Sequence, residues 1–367
     1  MIGSPLEIIN IPRKYIEETI VKAIEFNASD LHFEPFDGFL LITVHVDQFR
    51  IELGRIEKNI PTYMKEIKKY FGFKASLIGE IDDKWSSFPQ FGYDFRGVIF
   101  PQCFGENITL RLLKRDRDFH LNNYSIPEQA KKDLLRSISK NEGLILVSGP
   151  AGSGKTTLLY SALGTIDRIQ RRVLSTEDPK EYSLKYITQT QVDRDNKITF
   201  LNMLRAYMRA KPNVIMIGEI RDEETAEAAI HASNTGHLVL STVHAANSER
   251  VFDRLIDLKV KENILKENLI FSSAQRLIPK NCPHCKIEDH DSDELIEELF
   301  EEKFLTYKST GCHLCAGGYK GVELVFEYVK KNRKFERDFI KSETMFEQIK
   351  KLLKKGIINV KIADSLI

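Results

Sequence analysis

Residues 143–157 read Gly-Leu-Ile-Leu-Val-Ser-Gly-Pro-Ala-Gly-Ser-Gly-Lys-Thr-Thr, and no other stretch restricts the fold as tightly. Leu144 to Val147 is a short continuous apolar run, the pattern of a strand buried on both faces. Gly149-x-x-x-x-Gly154-Lys155-Thr156 follows, and Thr157 to Ile166 has helical spacing. Strand, glycine loop and helix in that order are the context of a P-loop. The residue types suit phosphate. Gly149, Gly152 and Gly154 let backbone N–H groups wrap oxygens with no side chain in the way, and Ser153 sits among them. The helix N-terminus, with Thr156 and Thr157 in its first turn, adds partial positive charge. Lys155 is placed to reach the β- and γ-phosphates, and the Thr156 hydroxyl to ligate Mg²⁺. ATP and Mg²⁺ are therefore the expected ligands.

A P-loop requires a parallel sheet, and the downstream pattern supplies one. Strands are expected at 172–176, 214–217 and 238–243, alternating with helices at 128–139, 200–210 and 223–233. Upstream, the spacing predicts helices over 15–26 and 61–72. Strands are expected at 28–35, 39–46, 95–100 and 108–113. The chain thus divides into an N-terminal α/β domain (1–113), a polar linker (114–126) and an ATPase domain (127–367). At 367 residues, about two or three domains are expected. The acidic run 287–302 reads as a solvated helix or loop.

Net charge is +1, which argues against a nucleic-acid groove as the main business. No window approaches a membrane span, and Met1 to Lys14 lacks signal-peptide features, so a cytosolic protein is expected. Five cysteines in an intracellular chain favour metal or free thiols. Cys282-Pro-His-Cys285 and Cys312-His-Leu-Cys315 form two C-x₂-C knuckles, the spacing of a tetrahedral Zn²⁺ site over 279–321. His284 and His313 lie inside the knuckles as competing ligands, and Cys103 is left over.

Ligands of open α/β sheets bind outside the carboxyl ends of the strands. Besides the P-loop, two acidic clusters fall there: Glu177 with Asp178 and Glu181, and Glu219 with Arg221 and Asp222. His237 and His244 bracket a further strand. Gly218 precedes Glu219, so the usual aspartate ending a Walker B strand is missing and Glu219 is the carboxylate expected to direct water.

Together these motifs resemble the secretion and pilus-assembly ATPases of the GspE/PilB type. Ser175-Thr176-Glu177-Asp178-Pro179-Lys180-Glu181 resembles the family's Asp box. Residues 214–222, Val-Ile-Met-Ile-Gly-Glu-Ile-Arg-Asp, resemble its atypical Walker B, and 235–244, Thr-Gly-His-Leu-Val-Leu-Ser-Thr-Val-His, its His box. The resemblance runs from about Ala28 to Gly321. It implies a RecA-like ATPase domain, a smaller PAS-like N-terminal domain and a zinc-binding tetracysteine subdomain. It also implies roles: Glu219 catalytic, Glu177 a second acid near metal and water, and His237 and His244 supports of the nucleotide site. Asp94-Phe95-Arg96 and the segment 101–113 resemble N-terminal-domain strands. That makes Arg96 and Arg111 arginine fingers for the γ-phosphate. The implied assembly is a cytoplasmic homohexamer at the inner membrane, pushing pilin-like subunits through a polytopic platform protein of the GspF/PilC kind, with a cytoplasmic adaptor as a further partner and no nucleic acid.

The pattern departs from the family at Thr43–Gln48, at Gln90-Phe91-Gly92-Tyr93 and at Lys211-Pro212-Asn213, which touches domain contacts more than chemistry. The chain begins near the second N-terminal domain of longer relatives, so a different docking mode is expected. The rival readings are a retraction-type motor, against which the tetracysteine site weighs, and a nucleic-acid-handling ATPase using the knuckles.

Overall fold

A computed structural model describes residues 12–46, 49–73, 82–115, 118–315, 317–332 and 339–367. The expectations for residues 1–11, and for Asp47 and Gln48 in the segment 43–48, lie outside the described residues. The chain forms two compact units, Met1–Arg117 and Asp118–Ile367.

In the first unit the elements run α1 (Pro12–Glu25), β1 (Asp30–Phe36), β2 (Phe39–Val46), β3 (Phe49–Ile56), α2 (Ile60–Phe71), β4 (Asp82–Phe88), β5 (Tyr93–Gln102) and β6 (Gly105–Lys114). The six strands form one antiparallel sheet in the order β3-β2-β1-β6-β5-β4. Alternation sends Leu31, Phe33, Leu40, Ile42, Val44, Phe95, Ile99, Ile108 and Leu110 to one face. There they share a core with Ile16 and Ile20 of α1 and Ile67 and Phe71 of α2. The other face carries polar side chains at the alternate positions, among them Asp30, His32, His45, Arg96 and Arg111. Strands β3 and β4 were not expected; β3 is an edge strand that carries Arg50, Glu52 and Arg55 among its apolar residues.

The second unit runs α3 (Glu128–Ile138), β7 (Gly143–Ser148), α4 (Lys155–Thr165), β8 (Val173–Glu177), β9 (Ile187–Gln191), α5 (Phe200–Met208), β10 (Val214–Ile217), α6 (Glu223–Asn234) and β11 (Leu238–Val243). It continues with α7 (Arg250–Asp257), α8 (Glu262–Asn268), β12 (Leu269–Asn281), β13 (Lys286–Asp289), α9 (Asp293–Phe300), β14 (Thr306–Ser309), β15 (Tyr319–Lys331), β16 (Phe339–Lys341), α10 (Met345–Lys354) and α11 (Val360–Asp364). The main sheet has eight strands in the order β16-β15-β12-β7-β11-β10-β8-β9. Strands β12 to β9 in that order are parallel, whereas β15 and β16 are antiparallel additions, so the sheet is mixed rather than wholly parallel. Apolar side chains above and below β7, β10 and β11 fill two separate cores, one under α3 and α4, the other under α5 to α8. Such strands are buried on both faces, as their uniform apolar runs require.

Two further readings change. Segment 118–126 is not a free linker. Phe119, Leu121 and Ile126 are buried in the core beneath α4, and the Leu121 amide donates to Thr165 Oγ1 at 3.0 Å. The acidic run folds into β13 and α9, and α9 buries Ile296 and Phe300 against Ile349 and Leu353 of α10. Its acidic residues occupy the solvent side, where they mask an ordinary amphipathic helix.

The packing of 118–126 is tight enough to test. Glycine inside a helix is normally worth replacing by alanine. At Gly164 the added Cβ would lie 1.6 Å from the Phe119 carbonyl oxygen. Gly164→Ala is therefore expected to destabilise the protein by about 1–3 kcal/mol rather than stabilise it, read as a lower denaturation midpoint in urea.

Candidate nucleotide and metal sites

The glycine loop 149–154 leaves the end of β7 with the backbone that the sequence demands. Gly149, Gly152 and Gly154 have φ of +142°, +74° and +87°. At Gly149 a Cβ would also stand 2.3 Å from the Gln275 carbonyl oxygen, so only glycine fits. Helix α4 starts at Lys155 with no side-chain cap, leaving its first-turn N–H groups directed at the loop. Lys155 Nζ donates to the Gly149 and Pro150 carbonyls at 2.8 Å each, closing over the cradle. Ser153 Oγ is buried with no hydrogen-bond partner among the described residues. Gln275 on β12 holds the loop from behind, its Nε2 donating to the Ser153 carbonyl at 2.6 Å and to Tyr124 Oη at 3.0 Å. Uncapped amides, a cradle that a Cβ would fill and a lysine folded over it match a phosphate chain, and Thr156 opens the helix beside them.

Parallel pairing sets what stands beside this loop. Strand β11 lies next to β7 and β10 next to β11, so the end of β10 is about 10 Å from the end of β7. Glu219 follows β10, and it is largely buried. Its Oε1 lies 2.8 Å from His244 Nε2, and its Oε2 accepts from Arg221 Nε at 2.6 Å. Lys155 feels it too: burial lowers the lysine's pKa, and the Glu219 carboxylate pulls it back up. The structure therefore brings Lys155, Glu219 and His244 to one edge of the sheet. Gly218 keeps the turn slim, since a Cβ there would stand 3.2 Å from the Phe200 ring and 3.3 Å from the Thr176 carbonyl, and these neighbours would have to give by a few tenths of an ångström.

His237 is not brought to this place. It precedes β11, at the opposite end of the strand from His244, where its carbonyl accepts from the Gly143 amide. Its Nδ1 lies 3.1 Å from the Ala232 carbonyl, tying down the end of α6. A strand of this length separates its two ends by roughly 17 Å.

Glu177 ends β8 on the same edge as the P-loop, one strand beyond β10, yet only 1% of it is exposed. Ser175 Oγ donates to its Oε1 at 2.7 Å and Gln189 Nε2 at 2.9 Å; Tyr160 Oη donates to its Oε2. Burial and this carboxylate push the Tyr160 phenol far above its ordinary pKa, which keeps it a proton donor. Glu177 is thus a fully satisfied buried acid, locked between α4 and β9. In the first unit, Arg96 on β5 and Arg111 on β6 stand directly opposite one another across the ladder, and Arg111 Nε donates to Asp30 Oδ1 at 3.1 Å.

Tyr124, Tyr160, Gln189 and Gln275 escaped sequence reasoning. For Gln275 a signal existed: it is a long polar side chain inside a strand of buried residues. Tyr160 is likewise the one aromatic in its helix, a polar-tipped side chain among buried neighbours.

The four knuckle cysteines converge. Their sulfurs lie within 4.8 Å of one another, with Cys282–Cys312 at 3.9 Å, Cys285–Cys315 at 3.8 Å and Cys312–Cys315 at 3.7 Å. A tetrahedron with metal–sulfur bonds of about 2.3 Å has sulfur–sulfur edges of about 3.8 Å. The donor set therefore fits a four-coordinate soft ion. Cys103 is exposed and takes no part. One ion per chain is expected by native mass spectrometry. Cys312→Ser is expected to lose it and to open the 282–315 lobe to limited proteolysis, while β7 and the P-loop stay folded.

The family described as "Type II/IV secretion system protein" matches residues 9–365. Type II secretion system protein E of Pseudomonas aeruginosa is 34% identical over 332 residues, covering 86% of this chain and 64% of that protein. Type IV pilus assembly ATPase PilB of the same organism is 31% identical over 363 residues, covering 96% and 64%. The chain thus spans a little under two thirds of the length of these relatives. Among solved structures, the Legionella pneumophila ATPase DotB superposes with a TM-score of 0.70 at 21% identity, covering 99% of this chain and 97% of that one. The pilus retraction motor PilT with bound ADP superposes with a TM-score of 0.65 at 25% identity, covering 96% of each. No helix among the described residues is long and apolar enough to cross a membrane. With its RecA-like sheet, its P-loop edge and its tetracysteine cluster, this chain belongs to the type II/IV secretion system protein family.

Proposed function

We propose that this protein hydrolyses ATP to drive assembly of a type II secretion pseudopilus or a type IV pilus. The observation that carries this reading is the P-loop with Lys155 beside the Glu219–His244 pair on one sheet edge. Relatives carrying the word ATPase in their names, and a structural neighbour with bound ADP, support it.

In this reading the loop amides and Lys155 bind the phosphate chain of ATP. Glu219 orients a water and accepts its proton as the water oxygen bonds to the γ-phosphorus and the bond to the ADP oxygen breaks. His244, whose Nε2 lies 2.8 Å from Glu219 Oε1, holds that carboxylate in place. Thr156 is the residue that would hold Mg²⁺, whose chemistry is to neutralise the β- and γ-oxygens. Glu177 supports the site from its buried network rather than meeting solvent. Arg96 and Arg111 supply further cations, reaching the γ-phosphate when the two units close within a homohexamer. The tetracysteine lobe holds Zn²⁺ as a structural ion. The ring would work at the cytoplasmic face of the inner membrane, passing its motion to a polytopic platform protein.

Two substitutions test the chemistry. Glu219→Gln is expected to cut ATP turnover by about 10²- to 10⁴-fold while a fluorescent ATP analogue still binds; full turnover in a folded Glu219→Gln protein would exclude the assignment. The double change Arg96→Ala with Arg111→Ala is expected to lower turnover by about 10³-fold with analogue affinity nearly intact. If affinity alone falls, the arginines are not γ-phosphate sensors.

A further inference from the structure

Residues 118–126 open the second unit, and their contacts reach the glycine loop. Residues 118–126 run along α4, the helix that begins at the P-loop, and touch it at both ends. At the far end, the Leu121 amide donates to Thr165 Oγ1 at 3.0 Å, and the Phe119 carbonyl lies against Gly164 so closely that no Cβ fits. At the near end, Tyr124 Oη donates to the Gly154 carbonyl at 3.4 Å and accepts from Gln275 Nε2, whose other contact is the Ser153 carbonyl. Between them, the Phe119 ring meets the Tyr160 ring edge-on at 5.2 Å and the Tyr182 ring at 5.0 Å. Tyr160 Oη donates to Glu177 and accepts from the Glu181 amide at 3.3 Å, and Gln189 fastens both Glu177 and the Tyr182 carbonyl.

Two chains of contact therefore leave this one segment. The first runs Phe119–Tyr160–Glu177 into the acidic loop after β8. The second runs Tyr124–Gln275–Ser153 into the phosphate cradle. Every member between the segment and the site is buried or half-buried, and Tyr160 has no exposed surface. Side chains packed at this density seldom shift singly, so these contacts tie the position of the segment to those of the Glu177 carboxylate and the loop carbonyls.

We propose that residues 118–126 are a strap that sets the geometry of the nucleotide site, with Tyr124 acting on the P-loop and Phe119 and Tyr160 acting on Glu177. The proposal rests on the ATPase reading above. Tyr124, Phe119 and Tyr160 are positioning residues in it; none touches ATP.

The two branches predict different kinetic signatures in the full-length, metal-loaded protein. Tyr160→Phe keeps the ring and removes the hydroxyl from Glu177. It is expected to lower kcat by about 10- to 100-fold with KM for ATP within about 2-fold of normal. Phe119→Leu keeps apolar volume and is expected to lower kcat in the same way. Combined with Tyr160→Phe it should add little further loss, because both act through one carboxylate. Tyr124→Phe is expected to raise KM and weaken binding of a fluorescent ADP by about 5- to 10-fold, and its effect should multiply with that of Tyr160→Phe. Melting temperatures are measured alongside, since a merely structural strap would lower them in all three variants without splitting kcat from KM. Active wild type with unchanged kcat in Phe119→Leu and Tyr160→Phe, or with fully multiplicative losses in that pair, overturns the strap alone. A wild-type protein that neither binds nor hydrolyses ATP overturns the functional reading, and the strap falls with it.

Discussion

Parallel pairing of β7, β8, β10 and β11 is the constraint on which everything else here depends. Because these strands point the same way, the residues that follow each of them are delivered to one edge of the sheet, although they lie far apart in the chain. The hydrophobic register sets this arrangement. Val214 faces Leu238 and Val173, and Leu238 faces Gly143, so a slip of one residue would turn buried side chains over and move Glu219 off the edge. The chemistry of the edge is therefore as well defined as the packing of the core beneath it.

The two acids on that edge are held in different ways. Glu219 has partners that are themselves half-exposed, Arg221 and His244, and these can rearrange when a phosphate chain arrives. Glu177 is closed in by a tyrosine, a serine and a glutamine, all neutral donors. A buried carboxylate with three good donors is tolerated, but one that lost a donor would carry a heavy desolvation penalty. One acid is set up to change its partners, the other to keep them. The similarity of their sequence settings, one ending a short strand and the other just beyond one, conceals this.

Much of this could be read directly. The apolar run before Gly149, the loop itself and the four cysteines have signatures that depend on local spacing alone, and each fell where expected. The uniform strands β7, β10 and β11 were equally plain. What was hidden depends on long-range partners. Strand β12 contains Ser272, Ser273, Gln275 and Pro279, and nothing local marks it as central; Ser272 Oγ finds the Ser248 carbonyl and Gln275 Nε2 the P-loop, and Pro279 lies beyond the part paired with β7. His237 and His244 look alike in sequence, and only the direction of β11 separates them. Segment 118–126 is polar enough to resemble a linker because its few anchors, Phe119, Leu121 and Ile126, are spaced for no regular element. Arg96 and Arg111 face each other across a strand pair, and no local pattern separates them from ordinary strand arginines.

The position of β12 also bears on how the chain comes to be. It completes the flank of β7 and supplies Gln275 to the back of the P-loop, yet Gln275 lies 122 residues after Ser153. A chain emerging from the ribosome would display the whole glycine loop long before the strand that supports it exists. During that interval β7 has an open side and the loop has no backing, so the nascent domain must wait, with apolar strands exposed, for a distant segment to be made. Competence to hold a nucleotide would then arrive in one late step, when β12 slots beside β7, and not gradually as the motif is synthesised.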